Sequence, residues 1–355
     1  MVLEKNECVI PRIVTPRAEG STHNLILSCQ HVLSWHDNKV TGNAMSKKKP
    51  HPKKSYIHTE KLDGTEQKGL LLAHFGANAL IEDSEGKTIR CHLRKNMEPC
   101  ITGDHVLWRL EKNHTGVVVS VLPRKSVLAR RNSKKQKLIA ANIDAIVIVT
   151  APPPLFSLYL IDRYLIASEN LNIQPMILLN KIDLLDKSQL AEMKEVLSLY
   201  EKIGYPVIYS SIYLSEGLKS LSHTLKDKIA VLVGVSGVGK SSIIATLTHD
   251  PHILIADTSL TSGFGKHTTT TTHLYHLPEG GHLIDSPGVR EFELGPMPFD
   301  DIIRGFIEFH PYFGYCKFRD CKHLGEPDCA IDQAVRENKI HPSRFASFCE
   351  IVREM

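Results

Sequence analysis

Three grammars of apolar and polar positions follow one another along the chain. Residues 1–61 show no sustained period, and Met45 to Ser55 (MSKKKPHPKKS) is rich in Lys and Pro, so this stretch is expected to be a basic, disordered extension. Met45-Ser46-Lys47 also reads as a natural translation start, and the sequence alone does not decide whether residues 1–44 are translated. Short runs separated by turn signals then take over: Gly69 to Phe75, Ala77 to Glu82, Thr88 to Arg94, Asp104 to Leu110 and Gly116 to Leu122. Five short strands so close together predict a small β-barrel over 62–125. In the third, Ile89, Cys91 and Leu93 alternate with Arg90, His92 and Arg94, so one face packs inward and the other is basic. That face is either an ordinary amphipathic strand or a nucleic-acid surface.

After Lys137 the pattern changes to strand then helix. Ile143 to Val149, Met176 to Leu179, Val207 to Tyr209, Ile229 to Val233 and His282 to Ile284 are runs suited to strands covered on both faces. Leu158, Ile161, Leu165 and Ile166, then Leu190, Met193 and Leu197, recur at helical spacing. Residues 126–295 are therefore predicted to be an α/β domain with a mostly parallel sheet and a ligand site at the carboxyl ends of its strands. The remaining 296–355 form a Cys- and Phe-containing segment too short to bury much core without help.

Composition narrows the picture further. Of 355 residues, 42% are hydrophobic and 23% charged, which excludes wholesale disorder, a collagen repeat and a coiled coil. The longest apolar runs are too short to span a bilayer, so no membrane partner and a cytoplasmic location are expected. Net charge is only +4, but Lys/Arg cluster at Lys47 to Lys54 and Arg124 to Lys137. Such clusters are solvated faces or sites for a polyanion. The eight cysteines are scattered except for three near the C-terminus, a usage that points to a reducing compartment and to metal rather than disulfides.

The sharpest chemical signal is Gly234-Val235-Ser236-Gly237-Val238-Gly239-Lys240-Ser241, placed after a predicted strand and before a helix that begins at Ser242. Its glycines let backbone N–H groups converge on phosphate oxygens, Lys240 neutralises the β- and γ-phosphates, and the Ser241 hydroxyl ligates Mg²⁺. Asn180-Lys181-Ile182-Asp183, directly after another strand, selects the base. A carboxylate at Asp183 accepts from guanine N1–H and the exocyclic amine, donors adenine lacks on that edge, so the pair of motifs specifies GTP. Ser210-Ser211 is either a further base-contacting loop or a plain serine turn. Asp285-Ser286-Pro287-Gly288 offers Asp285 toward Mg²⁺ and the Gly288 N–H toward the γ-phosphate. Asp83-Ser84-Glu85-Gly86 fits the same spacing but belongs to a predicted hairpin of the barrel.

Between the phosphate loop and Asp285 runs a polar stretch, Gly263 to Thr272, in which Thr269 is the candidate Mg²⁺ ligand and γ-phosphate sensor. His267 beside it is the candidate for orienting the attacking water, because Val289 stands where many GTPases carry Gln; a surface His is the alternative. Arg290 is either a stabiliser of transition-state charge or half of an ion pair. The base motif precedes the phosphate loop, so the domain reads as circularly permuted. Cys316, Cys321, His323 and Cys329 supply three thiolates and an imidazole, a closed tetrahedral set for one structural Zn²⁺, with buried thiols as the alternative. Such an ion contributes about 10 kcal/mol to folding of so small a segment.

The permuted order, the runs HTTTTTHLYHLP and HLIDSPGVREF and the tail CKFRDCKHLGEPDCAI together closely resemble the ribosome small subunit-dependent GTPase A (RsgA) family over Gly69 to Arg353. The resemblance implies an N-terminal OB-fold, a central permuted GTPase and a C-terminal zinc domain. It also implies GTP hydrolysis to GDP and phosphate, stimulated by the small ribosomal subunit during its late maturation. The stretch before Met45 departs from the family pattern. On this reading a monomer grips ribosomal RNA with its basic barrel, Arg124 to Lys137 and the zinc segment, by charge and by stacking on exposed aromatics. Two other readings are an RNA-binding module that holds GTP structurally and a GTP switch for a non-ribosomal partner.

Overall fold

The computed structural model describes residues 66–94, 97–111, 115–132, 135–250, 272–285 and 297–354. The extension 1–61, the stretch carrying His267 and Thr269, and Gly288 with Val289 and Arg290 lie outside the described residues.

The five expected barrel strands form, as β1 (Gln67–Phe75), β2 (Asn78–Asp83), β3 (Thr88–Leu93), β4 (His105–Leu110) and β5 (Gly116–Val121). They close in the order β1-β2-β3-β5-β4 through a β1–β4 pairing, with β3 and β5 parallel and the other pairs antiparallel. Alternate residues fill the interior, where Leu71, Ile81, Cys91, Val106, Trp108 and Val118 are buried together. Arg90, His92 and Arg94 point outward and are exposed, as the alternation requires. Asp83 takes the N–H groups of Glu85 and Lys87, each at 2.9 Å, so its motif look-alike is a hairpin turn.

A hairpin that the hydrophobic pattern did not announce follows, β6 (Val127–Asn132) with β7 (Lys135–Ala141). Its cationic sequence hides an inner face on which Leu128, Ile139 and Ala140 are buried against the α/β core. Arg124, expected as part of a free basic segment, is instead bound by acids distant in sequence. Its guanidinium donates to both Asp104 oxygens (2.7 and 2.9 Å) and to Glu98 (2.9 Å).

The α/β sheet contains β8 (Ala145–Thr150), β9 (Gln174–Leu179), β10 (Val207–Tyr209), β11 (Ile229–Val233), β12 (His273–His276) and β13 (His282–Asp285). Their order is β10-β9-β8-β11-β13-β12, parallel except for β12. Helices α1 (Leu158–Asn170), α2 (Lys187–Ile203), α3 (Ser215–Thr224) and α4 (Lys240–Thr248) connect them. Ile161, Leu165 and Ile166 of α1 and Leu197 of α2 are buried, as their spacing predicts. A reciprocal Asp186–Gln189 capping box starts α2 and a left-handed Gly204 ends it. Strand β12, too short and polar to be read from sequence, pairs with β1 at Ala73 and His273, so barrel and α/β sheet are one continuous surface. The joint is bolted by the Thr102 hydroxyl donating to the Thr272 carbonyl (3.0 Å) and by His276 against Glu82 (3.1 Å).

The C-terminal segment consists of α5 (Phe299–Arg304), a 3₁₀ turn (Ile307–Tyr312), α6 (Ala330–Arg336) and α7 (Pro342–Arg353). Its core of Ile302, Phe306, Phe309, Ile331 and Phe348 is completed by Ile166 of α1. The help that so short a segment needs also comes from a buried ion network. Arg344 of α7 donates to Asp162 of α1 (2.5 Å) and to both oxygens of Glu308 (2.6 and 3.1 Å). The Tyr200 hydroxyl of α2 also donates to Asp162 (2.6 Å), and the guanidinium lies 4.5 Å from the Phe306 ring centroid. Among the described residues no helix is long and apolar enough to cross a membrane. Replacing Arg344 by Ala strands two carboxylates in the interior, and the expected loss in denaturant unfolding is about 3–5 kcal/mol. A loss below about 1 kcal/mol, the scale of an exposed pair, would show that the network does not hold the segment.

Candidate nucleotide site and metal cluster

Strand β11 is buried along its whole length and delivers the chain to the carboxyl edge of the sheet, where Gly234 to Lys240 turns into α4. Gly234 and Gly239 adopt positive φ angles of 140° and 99°, in the left-handed range that lets successive N–H groups face one concavity. The Lys240 ammonium donates to the carbonyls of Gly234 (2.7 Å) and Val235 (2.8 Å), which places a buried cation inside the loop it belongs to. Ser241 is buried in the first turn of α4, while Ser236 and Gly237 are exposed at the rim and Ser242 is half-buried. The first turn of a helix presents unpaired N–H groups and the positive end of the dipole, a setting for phosphate.

The base motif meets this loop directly. Asn180, at the end of β9, is 2% exposed and donates from Nδ2 to the Val238 carbonyl (2.8 Å). Lys181, held at φ 62°, donates from Nζ to the Gly237 carbonyl (2.6 Å). Two segments separated by most of two βα units in sequence therefore form one wall. Asp183 sits exposed in the 3₁₀ turn Ile182–Leu184, with its carboxylate open to a ligand. Ser210 is fully buried and donates to Asn180 Oδ1 (3.3 Å), fixing the orientation of that amide. Ser211 caps its own loop by accepting from the Tyr213 N–H (3.1 Å). Ser210 thus braces the Asn180 amide and Ser211 closes its own turn.

Asp285 ends β13, the parallel neighbour of β11, so it reaches the same carboxyl edge of the sheet from which the phosphate loop leads to Ser241 in the first turn of α4. A carboxylate and a hydroxyl are oxygen donors of the kind Mg²⁺ takes, and an ion held by them would supply positive charge beside a phosphate. Sequence reasoning missed Thr150, whose carbonyl accepts the Asn180 N–H (2.9 Å) at the end of β8. No motif marks it, because it acts through its backbone.

In the C-terminal segment the ligand atoms of Cys316, Cys321, His323 and Cys329 lie within 4.8 Å of one another. His323 Nδ1 stands 3.4, 3.5 and 3.3 Å from the three sulfurs, close to the edges of about 3.6–3.8 Å expected of a tetrahedral ion with N and S ligands. Burial pushes the Cys321 thiol up to about 12, with the neighbouring Cys329 adding to the effect, and burial also raises Cys329. Two thiols raised in this way, side by side, become thiolates together only around a cation. Burial lowers His323, keeping the imidazole neutral and able to coordinate. The arrangement can hold a metal ion. Glu326, which the sequence did not single out, braces the turn by accepting from the N–H groups of Lys322 (2.9 Å) and Leu324 (2.7 Å). The Ala330 N–H donates to Cys316 Sγ (3.4 Å) at the start of α6, an outer contact of the kind that supports ligands.

Comparison with known proteins agrees with this geometry. Residues 121–295 match the model of the family described as RsgA GTPase. The chain is 43% identical over 328 residues to the small ribosomal subunit biogenesis GTPase RsgA of Pseudomonas putida, covering 91% of this chain and 96% of that protein. It is 46% identical over 293 residues to the protein of the same name from Pseudomonas aeruginosa, covering 82% and 86%. The crystal structure of YjeQ from Thermotoga maritima superposes with a TM-score of 0.67 at 29% identity, covering 81% of this chain and 98% of that one. YloQ, described as a circularly permuted GTPase, superposes with a TM-score of 0.65 at 26% identity, covering 83% and 96%.

The wall between the two motifs is testable at Gly239, where a Cβ would stand 2.4 Å from Asn180 Nδ2. With the added strain of a left-handed residue, Gly239→Ala is expected to weaken GTP binding by about tenfold or more in calorimetric titration. Unchanged affinity would mean that this close approach does not shape the pocket.

Proposed function

The chain belongs to the RsgA family of circularly permuted GTPases, and from that membership we propose that it hydrolyses GTP to GDP and phosphate in the late maturation of the small ribosomal subunit. The observation that carries the reading is the hydrogen-bonded wall between Asn180-Lys181 and the phosphate loop, which makes one guanine-nucleotide pocket from motifs in permuted order. In it, Gly234 to Gly239 and Ser242 wrap the phosphates, Lys240 balances their charge, and Asp183 reads the guanine edge. Ser241 and Thr269 would hold Mg²⁺, with Asp285 as the acidic group directed toward it, and the ion would supply charge to offset the phosphates. Gly288 holds the γ-phosphate, and His267 orients the water that attacks its phosphorus as GDP leaves. With Val289 in place of a water-orienting Gln, intrinsic turnover is slow until the partner orders the loop.

The three working parts are an OB-fold barrel over 62–125, the GTPase over 126–295 and a zinc domain over 296–355. The strand order β1-β2-β3-β5-β4 and the exposed Arg90, His92 and Arg94 support the first as an RNA-binding element. The protein acts in the cytoplasm as a monomer that contacts ribosomal RNA in the small subunit.

The deciding experiment is GTP turnover with and without purified small ribosomal subunits. Subunits are expected to raise the rate by at least about tenfold, ATP is expected not to be turned over, and His267→Ala should lose about 10²-fold of the stimulated rate while binding GTP normally. Turnover indifferent to subunits would favour a structural role for GTP, and full stimulation of the His267 variant would remove that residue from the mechanism. For the metal, mass spectrometry under non-denaturing conditions should find one zinc per chain, released by Cys321→Ser together with cooperative unfolding of the C-terminal segment. Folded protein carrying no stoichiometric zinc would refute the zinc assignment.

A further inference from the structure

The metal cluster carries a loop whose surface is unlike the rest of the molecule. Among the described residues the exposed large aromatic side chains are Phe75, Tyr213, Phe313, Tyr315 and Phe318, and the last three fall within six positions. Tyr315 is 78% exposed and Phe318 45%. They are not stray pieces of the core, since Phe306, Phe309 and Phe348 of the same segment are buried against one another. The loop is held from several sides. Cys316 and Cys321 belong to the metal cluster, and the N–H groups of Phe313, Lys317 and Cys321 donate to His310, Asp328 and Phe318 carbonyls at 3.2–3.4 Å.

We propose that the loop Phe313 to Lys322 is a stacking platform for unpaired bases of RNA. The inference rests on the RNA-containing partner proposed above and names the part of that partner which this loop reads. Its three cations, Lys317, Arg319 and Lys322, are matched by Asp320 within the loop and by Glu326 and Asp328 just beyond it, so it offers no basic groove to a phosphate backbone. Lys317 is paired with Asp328 (2.8 Å), both Glu326 oxygens are taken by backbone N–H groups, and Arg319 and Lys322 stand exposed with Asp320 between them. Ring and guanidinium faces bind a base without needing net charge, and a base offers its face only where it is unpaired. A docking protein would call for aliphatic neighbours around the rings, whereas the positions between them are Gly314, Cys316 and Lys317 and those that follow are Arg319 and Asp320. The Lys317 ammonium lies 5.8 Å from the Phe318 ring centroid, so cations flank the platform and stay within reach of the phosphates on either side of a stacked base. A loop already fixed by metal ligands loses little freedom on binding.

The test uses the full chain with its metal content verified, a short labelled single-stranded RNA, a duplex of the same length, and purified small subunits. Tyr315→Ala and Phe318→Leu are each expected to bind the single strand about tenfold more weakly, with the salt slope and duplex binding unchanged and Tyr315→Phe close to the parent protein. Intrinsic GTP turnover should not change in any of them. Phe318→Leu keeps the apolar volume and removes the ring face, so single-strand binding at the parent level in this variant overturns the platform. Equal losses on duplex and single strand also overturn it. Variants that keep RNA affinity but lose small subunits would assign the patch to a protein contact instead. A parent chain that binds neither RNA nor subunits would remove the ribosomal reading itself, a result distinct from parent binding with indifferent variants.

Discussion

The hydrogen bond from Asn180 Nδ2 to the Val238 carbonyl forms only because residue 239 has no side chain. Three features of the site follow from it. The amide is buried and oriented, so its backbone partner on Thr150 and its side-chain partner Ser210 fix the ends of β8, β9 and β10 relative to one another. Lys181 then lies across the phosphate loop, with its ammonium on Gly237. Asp183, two residues on, is left at the open edge as an acceptor. On the proposed function, a carboxylate held at a fixed distance from a phosphate loop would measure a nucleoside triphosphate by both of its ends, which neither motif could do alone.

This constraint is spatial and indifferent to chain order, which is why a permuted sequence can satisfy it. Strands β9 and β10 precede β11 in the chain, yet β11 lies beside β8 in the sheet, and the parallel pairings on both sides of β11 are complete. The ends of a parallel sheet's strands are set by hydrogen bonding and by helices packed on its faces, so cutting one loop and joining another leaves the carboxyl edge intact. The permutation changes what hangs from that edge. Strand β13 leads toward the C-terminal segment, and that segment is fastened to α1, the helix between β8 and β9. Leu155, just before α1, is also the side chain nearest to a Cβ built at Gly237. One helix therefore has its beginning beside the phosphate loop and its middle under Arg344.

What could be read from the sequence alone was whatever is local. The phosphate loop, Asn180 to Asp183 and the Cys/His set are short motifs whose residue types and spacing carry their chemistry, and alternation in Thr88 to Arg94 gave the outward face of β3. The β6–β7 hairpin was hidden because its buried Leu128, Ile139 and Ala140 are outnumbered by cations. Arg124 looked free because the acids that bind it, Glu98 and Asp104, lie some twenty residues back across two strands. Strand β12 was missed because four residues with two histidines carry too little pattern, and only its partner β1 makes it a strand. Arg344 and Asp162 are 182 positions apart, and no periodicity relates them.

The distribution of charge separates the surfaces by the physics each can use. The exposed cations of β3 offer long-range attraction that salt screens, while the loop at the metal cluster has rings and balanced charge, and so offers short-range contact that salt barely touches. A molecule that must find a large polyanion and also leave it gains from this division. On the proposed function, electrostatics would bring it to the surface quickly and nonspecifically, and stacking would add residence only where bases are unpaired. Because the loop is fixed to the cluster and the segment is locked onto α1 by a buried guanidinium, a displacement of α1 would carry the platform with it. One helix, α1, thus begins near the phosphate loop and carries the Asp162 to which Arg344 ties the C-terminal segment.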